Sequence, residues 1–237
     1  MLCVRFGAPG CCRETDAAVR HQRRVFLAEL WRYPVKSMGG ERLEEAVLGA
    51  AGVPGDREVL VEDDAGRVVT SRSRPRLLLH HGSIGADGQV HVNGRHWATP
   101  EVARDVEAAA GRGARLVRED GLQRFDVLPL LVATDGAIDS LGVDRRRFRP
   151  NLLLGGVPGL AERGWEGKVL AVGEARIRLV SLRQRCIMVT FDPDDAHQDR
   201  DILLRIHREL DGALALNAEV IRPGRVRIGD VAEVLSA

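Results

Sequence analysis

One cysteine in the body of the chain stands among arginines and is the residue best suited to chemistry. Cys186 follows Arg183 and Arg185, whereas the other three cysteines lie in the first dozen residues: Cys3, Cys11 and Cys12. Positive charge beside a thiol favours the thiolate over the neutral form. Because a thiolate is both a nucleophile and a soft metal ligand, the segment predicts covalent sulfur chemistry or transition-metal binding. The alternative is an inert core cysteine with solvent-facing arginines.

Three other segments carry groups that suit an anion. Lys36 and Ser37 precede two glycines, which brings together a charge, a hydroxyl and a close backbone approach, although an ordinary polar turn has the same pattern. Thr134 opens a predicted helix, where a hydroxyl and free backbone N–H groups favour anion binding. The run Arg145–Asn151 is the densest basic cluster of the body, and a solvated loop is the usual explanation for such a run.

Charge and composition narrow the class of protein. The 237 residues include 35 basic and 34 acidic side chains, so the net charge of +1 gives no bulk attraction to nucleic acid or to a membrane. The cysteines show no disulfide framework, which favours a reducing compartment. No apolar run is long enough to span a bilayer, and we expect no signal peptide. The cytoplasm is the expected location.

Strand signals dominate the chain. Alternating apolar residues predict a first strand over Val25–Tyr33 and another over Ala175–Val180, which delivers Cys186. Asn93-Gly94 predicts a tight hairpin because both turn positions need a positive φ.

Helix signals are few. Thr99 caps a predicted helix that runs to Ala110, and a second amphipathic helix is predicted over Asp199–Leu210. The sequence therefore predicts an α+β protein, mainly β, built on β-barrels with a few peripheral helices.

Two groups of metal-binding residue types fit a metal site poorly. Residues 1–24 show no periodicity and predict a poorly ordered extension, in which Cys11, Cys12 and His21 lack the spacing of a structural zinc site. Four histidines lie on predicted strands whose alternation scatters them over different faces, so we interpret them as solvated or hydrogen-bonded side chains: His80, His81, His91 and His96.

Several motifs, taken together and in order, resemble the MOSC family, which comprises relatives of the molybdenum-cofactor sulfurase C-terminal domain and includes the mitochondrial amidoxime-reducing component. The motifs are Leu30–Gly40, Gly55–Arg57, Arg147–Leu154, Trp165–Gly167, Arg183–Asp192 and Pro223–Asp230. The resemblance runs from about Val25 to Ala237. It implies an N-terminal MOSC β-barrel domain over residues 25–98 and a MOSC domain over residues 99–237.

The resemblance also implies a cofactor and the residues that hold it. The cofactor is the molybdenum cofactor (Mo-molybdopterin), with Cys186 as the metal ligand and catalytic residue. The implied cofactor-binding residues are Lys36, Ser37, Arg57, Thr134, Arg149, Asn151, Arg185 and Asn217. Within the basic cluster this leaves Arg145, Arg146 and Arg147 as surface residues.

The activity implied by the resemblance is the reduction of N-hydroxylated small molecules. The chain shows neither the cysteine spacing of an iron–sulfur cluster nor a dinucleotide-binding glycine motif, so a separate electron donor is expected: a ferredoxin, a flavodoxin or a reductase. Nucleic acid and membrane are not expected partners. Two alternatives stay open, namely a carrier of the cofactor and a sulfur-transfer protein that uses a Cys186 persulfide.

Overall fold

The computed structural model describes residues 24–236, so Cys11, Cys12 and His21 lie outside the described residues. The strands are β1 (Phe26–Arg32), β2 (Glu41–Leu43), β3 (Glu45–Leu48), β4 (Val59–Glu62), β5 (Val68–Val69), β6 (Gly82–Ile84), β7 (Val90–Val92), β8 (Arg95–His96), β9 (Arg115–Arg118), β10 (Leu130–Thr134), β11 (Leu152–Gly155), β12 (Val169–Val172), β13 (Ala175–Gln184), β14 (Ala213–Arg222), β15 (Gly224–Arg227) and β16 (Ala232–Leu235). The α-helices are α1 (Pro100–Ala110), α2 (Asp135–Asp139) and α3 (Arg200–Leu210). Five 3-10 helices complete the set: Pro75–Leu79, Leu122–Arg124, Arg145–Phe148, Ala161–Gly164 and Ile187–Thr190. The predicted mainly-β α+β class is confirmed.

The largest sheet has eight strands in the order β16-β12-β13-β14-β10-β11-β1-β2. Its pairs are antiparallel except for β10 and β11, which run parallel. An isolated bridge between Phe26 and Val231 brings the start of β1 to the residue before β16. In residues 24–236 the strand pairing does not continue around to close a barrel.

Two smaller three-stranded sheets, β5-β4-β9 and β6-β7-β8, share a separate apolar core with α1. Val35 and Met38 from the segment after β1 pack in this core with Val102 and Val106 of α1. Lys36 and Ser37 therefore lie on a segment whose neighbours on both sides are anchored by burial. The division into residues 25–98 and 99–237 stays a prediction; α1 and β9, which follow residue 98, pack on this first region.

Local sequence signals were reliable for turns and caps. Asn93 and Gly94 have φ of 50° and 77°, which confirms the predicted hairpin. The Thr99 side chain accepts a hydrogen bond from the N–H of Val102 at the start of α1. Asp199 caps α3 in the same way.

A third apolar cluster joins α2 and α3 to the segment that follows Cys186. Val189 packs there with Phe148, Ile202 and Ile206. Buried side chains therefore anchor the segment after the cysteine to this cluster.

Candidate functional site

One pocket gathers eight of the nine residues predicted for the site. They come from five separate parts of the chain, and the lining includes Cys186: Lys36, Ser37, Arg57, Arg149, Asn151, Arg185, Cys186 and Asn217. Since ligand sites are concave and combine apolar walls with a few convergent polar groups, this pocket is the candidate functional site.

Thr134 lies outside that lining. It is fully buried, caps α2 by accepting from the N–H of Ala137, and donates its hydroxyl to Glu162 Oε2 at 2.7 Å. The other oxygen of Glu162 accepts from the N–H of Ala215 at 2.8 Å, and burial raises the pKa of this carboxyl group. Thr134 therefore joins α2 to β14 behind the pocket.

Cys186 is held at the pocket by the strand before it and the short helix after it. Strand β13 runs to Gln184, beyond the predicted end at Val180, and the N–H of Arg185 donates to Gly212 O at 2.8 Å. Cys186 is the N-cap of the 3-10 helix Ile187–Thr190 and is half-buried. The thiol therefore lies where a rigid strand gives way to a helical turn.

Arg147 corrects one prediction. Its side chain is only 10% exposed, donates to Thr190 O at 3.2 Å and pairs with Asp192 Oδ2 at 2.6 Å, so it is not a surface residue. It also lines the pocket. Arg147 ties the helical turn after Cys186 to the 3-10 helix Arg145–Phe148.

Arg149 and Arg185 form what we term the inner pair. Arg149 donates to Met38 O at 2.5 Å and Arg185 donates to Phe148 O at 3.0 Å. In the described chain, Arg149 Nη2 and both Nε and Nη1 of Arg185 are buried without a hydrogen-bond partner. Burial lowers the pKa of each guanidinium to about 10, so both remain charged at neutral pH.

Tyr33 stacks against two of the pocket arginines. The guanidinium carbon of Arg149 lies 4.3 Å from the centre of its ring and that of Arg57 lies 5.3 Å away. Arg57 also pairs with the fully buried Asp56, whose Oδ1 accepts from the N–H of Tyr33. Burial raises the pKa of Tyr33, which keeps the ring neutral between its two cations.

Backbone strain is concentrated at the pocket. Of the seven non-glycine residues with positive φ in the described chain, three line it: Ser37 at 73°, Arg57 at 55° and Arg149 at 56°. Such conformations are unfavourable for residues with a Cβ and cluster at functional sites.

The two predicted asparagines are held mainly by protein atoms. Asn151 accepts from the N–H of Leu131 and donates to Trp31 O, which ties β10 to β1. Asn217 accepts from Arg183 at 3.4 Å and donates to Ser181 Oγ at 3.1 Å. Both side chains fix the shape of the pocket wall.

An outer cluster of charges, formed by Lys36, Arg72, Asp126 and Arg183, lies beside Cys186. Asp126 Oδ1 pairs with Lys36 Nζ at 2.9 Å. Its Oδ2 forms ion pairs with Arg72 and, at 3.4 Å, with Arg183. Burial raises the pKa of Asp126. The hydrogen bond and charge of Lys36 and the charges of both arginines outweigh this effect and lower the pKa to about 2. Burial lowers the pKa of Arg72, and its interactions with Cys186 and Asp126 outweigh this and raise it.

Comparison with known proteins places the chain. The family description "MOSC N-terminal beta barrel domain" matches residues 25–136, and "MOSC domain" matches residues 132–233. The chain belongs to the MOSC family.

Two curated relatives align with most of this MOSC chain. Mitochondrial amidoxime reducing component 2 of Macaca fascicularis is 27% identical over 84% of this chain and 77% of its own length. Mitochondrial amidoxime-reducing component 1 of Homo sapiens is 25% identical over 86% of this chain and 81% of its own length.

Two solved structures are similar to this MOSC chain. The YUAD protein from Bacillus subtilis has a TM-score of 0.47 and 17% identity and covers 90% of this chain and 96% of its own. YiiM from Escherichia coli has a TM-score of 0.44 and 14% identity and covers 90% of this chain and 69% of its own. Within residues 24–236 of the MOSC chain, no helix has the length and apolarity to cross a membrane.

Sequence reasoning assigned no role at the site to Arg72 or Asp126, and gave Arg183 only that of a positive charge beside the Cys186 thiol. Arg183 is near the end of β13 and Arg185 directly follows that strand, and their proximity to Cys186 in the sequence was a usable signal because both line the same pocket. Asp126 carries no local signal, because its three partners lie at distant points of the sequence.

Proposed function

We propose that this MOSC chain is a molybdenum-cofactor-dependent reductase that removes the hydroxyl oxygen from N-hydroxylated compounds. The observation that carries the proposal is the inner pair, three of whose buried guanidinium nitrogens have no hydrogen-bond partner in the described chain, in the same pocket as Cys186. A buried, unpaired cation is costly unless an anion completes it. The pocket is therefore complementary to an anionic ligand that also accepts a thiolate.

The residues present fit the molybdenum cofactor. Arg149 and Arg185 offer buried donors to its phosphate, and the strained segment at Ser37 brings backbone and hydroxyl groups close. Arg57 is already neutralised by Asp56, so it would hold the cofactor by hydrogen bonds rather than by net charge. Cys186 supplies the soft ligand for the metal.

The reaction consumes two electrons and two protons: R–NHOH + 2 e⁻ + 2 H⁺ → R–NH2 + H2O. The N–O bond breaks, the oxygen leaves as water, and a separate reduced electron-donor protein supplies the electrons. When bound, the cofactor supplies a two-electron redox centre for oxygen-atom transfer. The protein fixes Cys186 through Arg147 and the capped turn, and Arg72 holds positive charge beside the sulfur. The names of the curated relatives, which are amidoxime-reducing components, support this reaction class.

The test is the molybdenum and pterin content of protein purified from a host that makes the cofactor, beside a Cys186→Ser variant. We expect near-stoichiometric metal and pterin in the wild type. The variant retains pterin, because the arginines remain, but loses the reduction of an N-hydroxylated substrate by a reduced donor. Arg178→Ala is the matched control, since Arg178 is 53% exposed on β13 and its only ion-pair partner among residues 24–236 is Glu219 on the neighbouring strand.

The other outcomes point to the alternatives. Cofactor without turnover in the wild type would indicate a carrier. Cyanide-labile sulfur on Cys186, absent in the serine variant, would indicate sulfur transfer through a persulfide. A folded protein with neither metal nor pterin would exclude the proposed cofactor.

A further inference from the structure

The charges that line the pocket do not balance. Among the lining residues in the described chain, seven are basic and one, Asp126, is acidic. Arg57 and Arg147 have carboxylates of their own just outside the lining, at Asp56 and Asp192. With the inner pair assigned to the cofactor, the surplus lies in the outer cluster, where a single carboxylate serves three cations.

Arg183 is the least satisfied member of the outer cluster. A guanidinium has five N–H donors in a planar fork. With the residues that the structure describes, Arg183 makes two side-chain hydrogen bonds, to Asn217 Oδ1 and Asp126 Oδ2, and both are long at 3.4 Å. Its side chain is 20% exposed and that of Arg72 is 40% exposed, so both are open to a ligand that arrives from solvent.

Asp126 occupies the place where an external anion would bind these arginines. It belongs to the segment between β9 and β10, and its side chain is 30% exposed. Its Oδ2 takes Arg72 and Arg183 together, although the two arginines come from segments more than a hundred residues apart. A carboxylate or phosphate of a ligand could make the same contacts with better geometry at Arg183.

We propose that Arg183 and Arg72 dock an anionic group, a carboxylate or a phosphate, on the N-hydroxylated substrate, and that Asp126 is the internal anion with which this group competes. The inference rests on the proposed function and names its substrate class. Cationic substrates are disfavoured, because they would approach two arginines and Lys36 against one carboxylate.

The kinetic test compares phenylhydroxylamine with its 4-carboxylate, 4-phosphonate and 4-trimethylammonium derivatives on the cofactor-loaded enzyme with a reduced donor. We expect a KM about tenfold lower for one of the anionic derivatives than for the parent compound, at similar kcat, and a higher KM for the cation. The anionic derivative that gains more identifies the group. Arg183→Ala removes the preference, Arg178→Ala keeps it, and Asp126→Asn strengthens it. A preference that is absent, or unchanged in Arg183→Ala, overturns the proposal.

A binding test separates this proposal from the reductase assignment. Isothermal titration with benzoate and with phenylphosphonate needs no turnover. We expect wild type and Arg178→Ala to bind one of them, Arg183→Ala to lose it by about tenfold, and Asp126→Asn to gain by a similar factor. Binding of this pattern without reductase activity rejects the proposed function and keeps the anion site. Reductase activity with no Arg183-dependent binding of either anion rejects the anion site and keeps the proposed function. Weaker binding in Asp126→Asn would mean that Asp126 positions the arginines rather than competing with the ligand, and would overturn the competition.

Discussion

The inner pair and the outer cluster both contain arginines, but the arginines differ in how their positive charge is compensated. Arg149 and Arg185 direct their hydrogen bonds to backbone carbonyls, and three of their buried nitrogens have no partner in the described chain. Lys36, Arg72 and Arg183, whose side chains are 13%, 40% and 20% exposed, share the carboxylate of Asp126.

The difference separates a site that is preorganised from one that is adjustable. Burying an uncompensated cation destabilises the empty protein, and the free energy is recovered only when an anion binds. Ion pairs near the surface exchange partners at little cost, because water screens each intermediate arrangement. The inner pair therefore suits a tightly held cofactor, and the outer cluster suits a substrate that enters and leaves.

The largest effect is expected from the inner pair. Arg185→Met keeps the side-chain volume and removes the buried charge, so cofactor content falls by about a hundredfold or more. The cofactor-free protein gains about 1 kcal/mol in its free energy of unfolding, because an unpaired buried cation is lost. Metal and pterin analysis together with urea unfolding measure both changes. A variant that loses cofactor and is also less stable than the wild type would show that Arg185 has only a structural role.

A smaller effect with the opposite sign is expected in the outer cluster. Asp126→Asn leaves three cations without their shared carboxylate and lowers the free energy of unfolding of the cofactor-free protein by about 1 to 2 kcal/mol. Because the folded protein holds the Asp126 pKa at about 2, below its ordinary 3.8, this contribution is fully present above pH 3.8 and is lost as the pH falls through about 2. Urea unfolding of the wild type and the variant from pH 7 to pH 2 measures it. A gap between the two proteins that widens as the pH falls would contradict the assignment.

The smallest effect is expected at Thr134, which belongs to neither region. Thr134→Ala removes the cap of α2 and the hydrogen bond to Glu162, which lowers the free energy of unfolding by about 1 kcal/mol. Cofactor content stays at the wild-type level, since Thr134 is not in the pocket lining. Thermal unfolding and metal analysis test both statements, and a fall in cofactor content would return Thr134 to the site.

Predictions from short-range chemistry were accurate. The hairpin at Asn93-Gly94 and the cap at Thr99 depend on backbone conformations and hydrogen bonds within a few residues, so the sequence contains everything that decides them. The end of β13 was predicted too early, at Val180. The pairing of its last residues with β14 includes register shifts, and these depend on a strand that is distant in the sequence.

The partners of the charged residues could not be predicted in the same way. The basic cluster Arg145–Arg149 reads as a uniform solvated run, yet Arg147 pairs with Asp192 and Arg149 stacks on Tyr33. Arg146 does pair with the nearby Asp144, but the partners of Arg147 and Arg149 come from segments more than forty residues away. An ion pair between distant segments leaves no periodicity in either of them.

The sequence by itself determined the residue types of this site, including Cys186 among its arginines. It also determined the mainly-β class and the family. The tertiary structure decided that Thr134 is a cap behind the pocket and that Asp126 joins Lys36, Arg72 and Arg183. It also decided that three guanidinium nitrogens of Arg149 and Arg185 are buried without a partner in the described chain. The physical reason is that chemical identity belongs to each residue, whereas burial and charge compensation exist only between residues that folding brings together.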